Sequence, residues 1–157
     1  QSVEKVEQDI DIKLHEPTQD ERLLLNLFEE FGIKGVRFGN ISKRNGEKNE
    51  RSIAVYAPKD GIVVNANSPY VMKMTELAQY PEGRTVVQLL MYPILTHEEA
   101  HGVTGTPTAH GEEFHYMHQL LMETRAMQHA DRLLARLKWS TPTALAEQGP
   151  VDNSLTQ

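Results

Sequence analysis

Val86-Val87-Gln88-Leu89-Leu90-Met91-Tyr92-Pro93-Ile94-Leu95-Thr96-His97-Glu98-Glu99-Ala100-His101-Gly102 is the stretch that decides how this chain is read. Val86, Val87, Leu89, Leu90, Ile94 and Leu95 recur at helical spacing and lead directly into His97. Pro93 interrupts the run; it removes a backbone hydrogen bond, so it kinks the helix or moves the start to Pro93 itself. Residues four apart on an α-helix lie one turn apart on the same face. His97 and His101 can therefore aim both imidazoles at one point, each about 2.0–2.1 Å from a zinc ion. Glu98 is rotated about 100° from His97, outside the ligand pair but within reach of a water on the metal. A carboxylate there can take a proton from that water and later deliver it to a leaving amine. This is the H-E-x-x-H pattern with its mechanical meaning.

Two histidines do not complete a site. The intervening segment Gly102-Val103-Thr104-Gly105-Thr106-Pro107-Thr108-Ala109 reads as a loop able to reverse direction, and it delivers His110 as the third ligand. Glu112 and Glu113 are alternatives, although an acidic first turn is also what a helix N-terminus favours. The metzincin spacing is excluded, because Pro107 stands where its third His would fall and Thr104 where its Gly would. A surface His pair is the competing structural reading. The apolar run before His97 argues against it by placing the pair near the core, where unligated histidines are costly. His115 and His118 share a helix face and read as partly exposed, with His118 a candidate donor beside the site. His15 and His129 carry no signal. Phe114, Met117, Leu120 and Leu121 read as a core stripe, and Tyr92, Tyr116 and His118 are the candidates for stabilising an oxyanion.

Outward from the centre, the chain reads as one α+β domain. A helix begins near Asp20, with Thr18 and Glu21 as a capping box, and stops at Phe31-Gly32. Alternating segments at 36–41, 52–56 and 62–67 predict three strands in an antiparallel meander, with Asn45-Gly46 turning the first hairpin. Residues 68–83 read as a short helix or connector, and a last long helix runs from about Gly111 to Lys138. The domain is expected over 19–139, between a polar N-terminal arm (1–18) and a flexible polar tail (140–157).

The 157 residues suffice for one well-packed core, and 39% hydrophobic with 24% charged residues is ordinary for a globular chain. The net charge of −6 gives no support for DNA association, which depends on Lys and Arg. The basic run from Lys43 to Arg51 reads as a solvated turn. The absence of Cys excludes disulfides and thiolate chemistry. No apolar stretch has the length of a membrane span or a signal peptide, so a cytoplasmic location without membrane contact is the expectation.

His97-Glu98-x-x-His101 followed by His110-Gly111-x-x-Phe114 resembles the SprT/Spartan-like family of zincin metalloproteases. The resemblance covers about residues 20–138, and its specific part is 97–114. It implies a minimal zincin-like domain, Zn2+ held by His97, His101 and His110, Glu98 as the catalytic acid and base, and Phe114 as the packing aromatic. The implied activity is hydrolysis of peptide bonds in a protein substrate. A zinc-stabilised binding module without catalysis, such as an inhibitor or adaptor, is the alternative. The chain departs from the family in its short loop between His101 and His110, and it has no Cys-rich zinc ribbon. Members that act on DNA-crosslinked proteins carry basic segments, which this acidic chain does not match.

Overall fold

The computed structural model describes residues 10–106 and 109–140, with side chains through Arg136. Helix α1 (Gln19–Glu30) starts as its sequence dictates. The Glu21 N–H donates to Thr18 Oγ1 (3.1 Å), and the Thr18 N–H donates to Glu21 Oε1 (3.0 Å). It ends at Phe31, after which Gly32 takes φ +88°. Leu24, Leu27 and Phe28 form its buried stripe.

The sheet differs from the expected meander. Four strands, β1 (Ile10–His15), β2 (Arg37–Lys43), β3 (Ala54–Ala57) and β4 (Gly61–Asn65), lie in the order β1-β2-β4-β3. The β1–β2 and β3–β4 pairs are antiparallel, whereas β2 and β4 are parallel. The sheet is therefore mixed and four-stranded, not three-stranded and antiparallel. Two physical causes account for the difference. Ile10, Ile12 and Leu14 alternate with Asp11 and Lys13, so β1 is an amphipathic strand inside the stretch read as a polar arm. The Asn45-Gly46 turn does form, with the Gly46 N–H on the Lys43 carbonyl (2.8 Å) and the Lys43 N–H on the Glu47 carbonyl (2.7 Å). It folds back on β2 itself, where Ser42 bridges Lys48, and does not pair β2 with β3. Asn65 holds the resulting loop. Its Nδ2 donates to the carbonyls of Asn49 (2.6 Å) and Ser52 (2.8 Å), while its Oδ1 accepts from the Ile41 N–H (3.1 Å).

Helix α2 (Pro69–Leu77) is capped by Ser68 and leads into α3 (Pro81–Thr104). Pro81 occupies the first turn of α3, and Pro93 lies within the helix, which runs on through Gly102. Gly102 thus belongs to the helix and does not open a loop. A Cβ there would stand 2.9 Å from the Tyr56 ring, so glycine lets β3 and α3 meet closely. Phe38 and Val64 of the sheet join Leu24, Phe28, Phe31, Val87, Met91 and Leu95 in the main core. Ile41, Val55 and Val63 make a smaller cluster, against which Ile10, Ile12 and Leu14 pack. Among the described residues no helix is long and apolar enough to cross a membrane.

Helix α4 (Glu112–Ser140) lies against α3, with Tyr92 donating to the Met122 carbonyl and Arg125 paired with Glu99. Phe114 is buried, but Leu120 is 42% exposed, so the expected core stripe reaches only part of this face. Lower on α4, His129 is 3% exposed and packs edge-on against Phe31 (centroids 5.0 Å apart) and stacked on Tyr92 (6.2 Å). Among the described residues, neither of its ring nitrogens has a hydrogen-bond partner. Burial pushes its pKa below the ordinary 6.5; Glu30 opposes that shift, and Arg136 and Arg132 reinforce it.

Two tests follow from this packing. A Cβ on Gly39 would stand 2.8 Å from the Lys13 carbonyl oxygen, so Gly39→Ala should prise β1 from β2. The expected loss is about 1–3 kcal/mol in urea unfolding; an unchanged midpoint would show that β1 yields freely. For His129, the unfolded imidazole takes up a proton at a higher pH than the folded one. Its contribution to stability is complete above about pH 6.5 and falls as pH drops through the folded value. His129→Phe should therefore lessen the loss of stability between about pH 7.5 and 5, measured by denaturant melts. An identical loss in both proteins would remove His129 as a cause.

Candidate metal centre

One turn of α3 and the entry to α4 bring three imidazoles together. The ring centroids of His97, His101 and His110 form a nearly equilateral triangle, with sides of 4.9, 5.1 and 4.8 Å. One ligand atom from each lies within 4.8 Å of the others, and among the described residues they form a group able to hold a metal ion. The Nε2 atoms of His97 and His110 are 3.3 Å apart. Nitrogens at about 2.0–2.1 Å around a tetrahedral zinc would stand about 3.3–3.4 Å from one another. The pair therefore already has the spacing of one edge of that tetrahedron.

His97 and His101 are also in the form that a cation requires. Burial first, then the neighbouring His101, His110, His118 and His115, lowers the pKa of His97 to about 4. Burial lowers that of His101 as well, against the opposing pull of the Thr106 carbonyl. At neutral pH both rings are uncharged and offer lone pairs. His101 Nδ1 lies 2.6 Å from the Thr106 carbonyl oxygen, an acceptor, so Nδ1 carries the proton and Nε2 is left free.

Phe114 is the hub of the cluster. Its ring is 2% exposed and lies 4.9 Å from His97, 4.4 Å from His101 and 4.8 Å from His110. One α4 side chain thereby fixes the orientation of three rings that come from two elements. His118 flanks the opposite edge, 5.5 Å from His97, with Nε2 at 3.3 Å from Thr96 Oγ1. The Thr96 hydroxyl lies 3.0 Å from the Tyr92 carbonyl, which takes its proton and leaves His118 Nε2–H as donor to the oxygen.

Glu98 stands beside the triad, its Oε2 3.9 Å from His97 Nε2 and its side chain 12% exposed. Glu99 turns away to Arg125, so two consecutive glutamates have separate tasks. Glu112, Glu113 and His115 are exposed and lie outside the group of three. Of the tyrosines weighed from sequence, Tyr92 is bound to the Met122 carbonyl and Tyr116 is 69% exposed. Sequence reasoning missed Thr106, whose role is carried by its backbone.

No family model, curated protein or solved structure matches this chain. The geometry and chemistry of its own residues therefore carry the functional conclusion. The assignment of His110 can be checked by metal analysis. Wild-type protein should carry stoichiometric zinc, and His110→Ala should fall well below it while still folding. Full retention by the variant would displace His110 and return attention to Glu112, Glu113 and His115.

Proposed function

We propose that the chain is a zinc-dependent metallopeptidase of the minimal zincin type, similar to the SprT/Spartan-like family, acting on a protein substrate. The observation that supports this most is the convergence of His97, His101 and His110, with Glu98 on the same helix at the edge of the cluster. A structural site has no use for that carboxylate. Zinc bound by the three imidazoles would acidify a water to a pKa of about 7 and polarise a carbonyl.

The chain's own residues supply the rest. Glu98 accepts the proton of the attacking water and hands it to the leaving amine nitrogen. Its largely enclosed side chain, 12% exposed, keeps that proton from bulk solvent. Phe114 excludes water from the inner side of the imidazole cluster and holds the three rings in register. His118 borders the cluster with its ring against His97, but its Nε2–H is already engaged by Thr96, so no oxyanion donor is assigned among the sequence candidates.

Glu98→Gln separates this reading from a non-catalytic zinc-stabilised binding module. The variant should keep its zinc and lose about 10²–10⁴-fold in cleavage of a denatured protein such as casein. An unchanged rate would remove Glu98 from the mechanism. A fully zinc-loaded wild type that cleaves nothing would instead favour the binding module.

A further inference from the structure

The turn that follows the second histidine is built more tightly than a connector requires. Helix α3 ends at Gly105, in the left-handed conformation with φ +70° and ψ +21°. That single reversal brings the next peptide back onto the last helical turn. The Thr106 N–H donates to the His101 carbonyl (3.1 Å), and the Thr106 carbonyl accepts from His101 Nδ1 (2.6 Å). The backbone of Thr106 thus contacts His101 twice, once at its main chain and once at its ring. Thr104 reinforces the turn, with Oγ1 2.8 Å from the Ala100 carbonyl and 2.6 Å from Thr106 Oγ1.

We propose that Gly105 is the positioning residue for His101: its left-handed backbone sets the Thr106 carbonyl on Nδ1 and so fixes which imidazole nitrogen is free. This rests on the reading of His97, His101 and His110 as a metal centre. Were the proton on Nε2 instead, His101 would present an N–H to the cluster and could not serve as a ligand through that atom. The carbonyl also fixes the ring plane, which at 3% residue exposure has little other freedom. Gly105 touches no substrate and acts only through the peptide that follows it.

The space around Gly105 makes the idea testable. Among the described residues, a Cβ built there would meet nothing within 4 Å, so a substitution acts through backbone conformation and not through a clash with them. Asn tolerates the left-handed region, whereas a β-branched residue is a strong outlier in it. Gly105→Val and Gly105→Asn therefore differ in the one property at issue.

The experiment uses the whole chain, with thermal unfolding to verify that each variant is folded. Nitrogen-15 imidazole spectra of the metal-free protein, taken at about pH 8 where imidazoles are ordinarily neutral, report the His101 tautomer. Wild type and Gly105→Asn should show His101 protonated at Nδ1, and Gly105→Val should show a mixture or the Nε2 form. Titration with Zn2+ should find Gly105→Val weaker by about 10–100-fold, with Gly105→Asn near wild type. If Gly105→Val keeps both tautomer and affinity, the positioning role is overturned while the metal centre stands. If wild type binds no zinc, the metal centre fails, and the tautomer comparison still decides the role of the turn. Should Gly105→Val not fold, a wild-type His101 protonated at Nε2 overturns the inference by itself, and Nδ1 protonation in wild type and Gly105→Asn supports it.

Discussion

Three imidazoles from two parts of the chain converge here because a common surface holds them together, and that surface is the Phe114 ring. It lies within 5 Å, centroid to centroid, of all three histidines and is almost wholly buried. Helical spacing alone aligns His97 with His101, but His110 comes from another part of the chain. The seam between α3 and α4 therefore does the aligning. Its other fastenings are the Glu99–Arg125 pair and the Tyr92 hydroxyl on the Met122 carbonyl. Each acts at a distance from the cluster and sets where Phe114 comes to lie.

That seam is more polar than a simple core. Gln88 is fully buried and donates to the Leu27 carbonyl (3.0 Å) and to Glu30 (2.8 Å), while Arg136 reaches Glu30 from α4. The Gln88 Oε1 atom, Arg136 Nε and both nitrogens of His129 are buried without partners among the described residues. Unsatisfied polar atoms of this kind are costly, so the α1–α3–α4 junction carries less stability than its apolar contacts alone would give. The pairs Arg136–Glu30 and Arg125–Glu99 nevertheless tie α4 to α1 and to α3 at two separate points, which restrains its rotation.

The elements that could be read from the sequence are those whose signals are local. The Thr18–Glu21 cap, the stop at Gly32 and the His97–His101 spacing each depend on residues within one or two turns, and each stands where expected. The sheet order could not be read in this way. The β3–β4 hairpin stands as expected, but that β4 and not β3 lies beside β2 goes with Asn65, whose side chain serves Asn49, Ser52 and Ile41 from well outside their local sequence. β1 escaped notice because its alternation runs through Asp11 and Lys13, which weigh toward an unstructured arm in composition but simply face outward in a strand. The geometry at His101 was hidden for a further reason: a backbone carbonyl is the same in every residue, so composition says nothing of it.

Glu21 shows what a shared partner does to folding. Its carboxylate receives the Thr18 N–H that opens α1 and also the Nε2–H of His15, at 3.0 Å each, while His15 Nδ1 faces Asn40 of β2. The first turn of a helix and the end of an edge strand thus close on a single side chain. Local opening of β1 should not proceed as independent fraying of a terminus, since it removes a partner from the helix cap as well. The strand, the cap and the start of α1 belong to one cooperative unit, and amide exchange across Ile10–Leu24 should follow a common opening free energy.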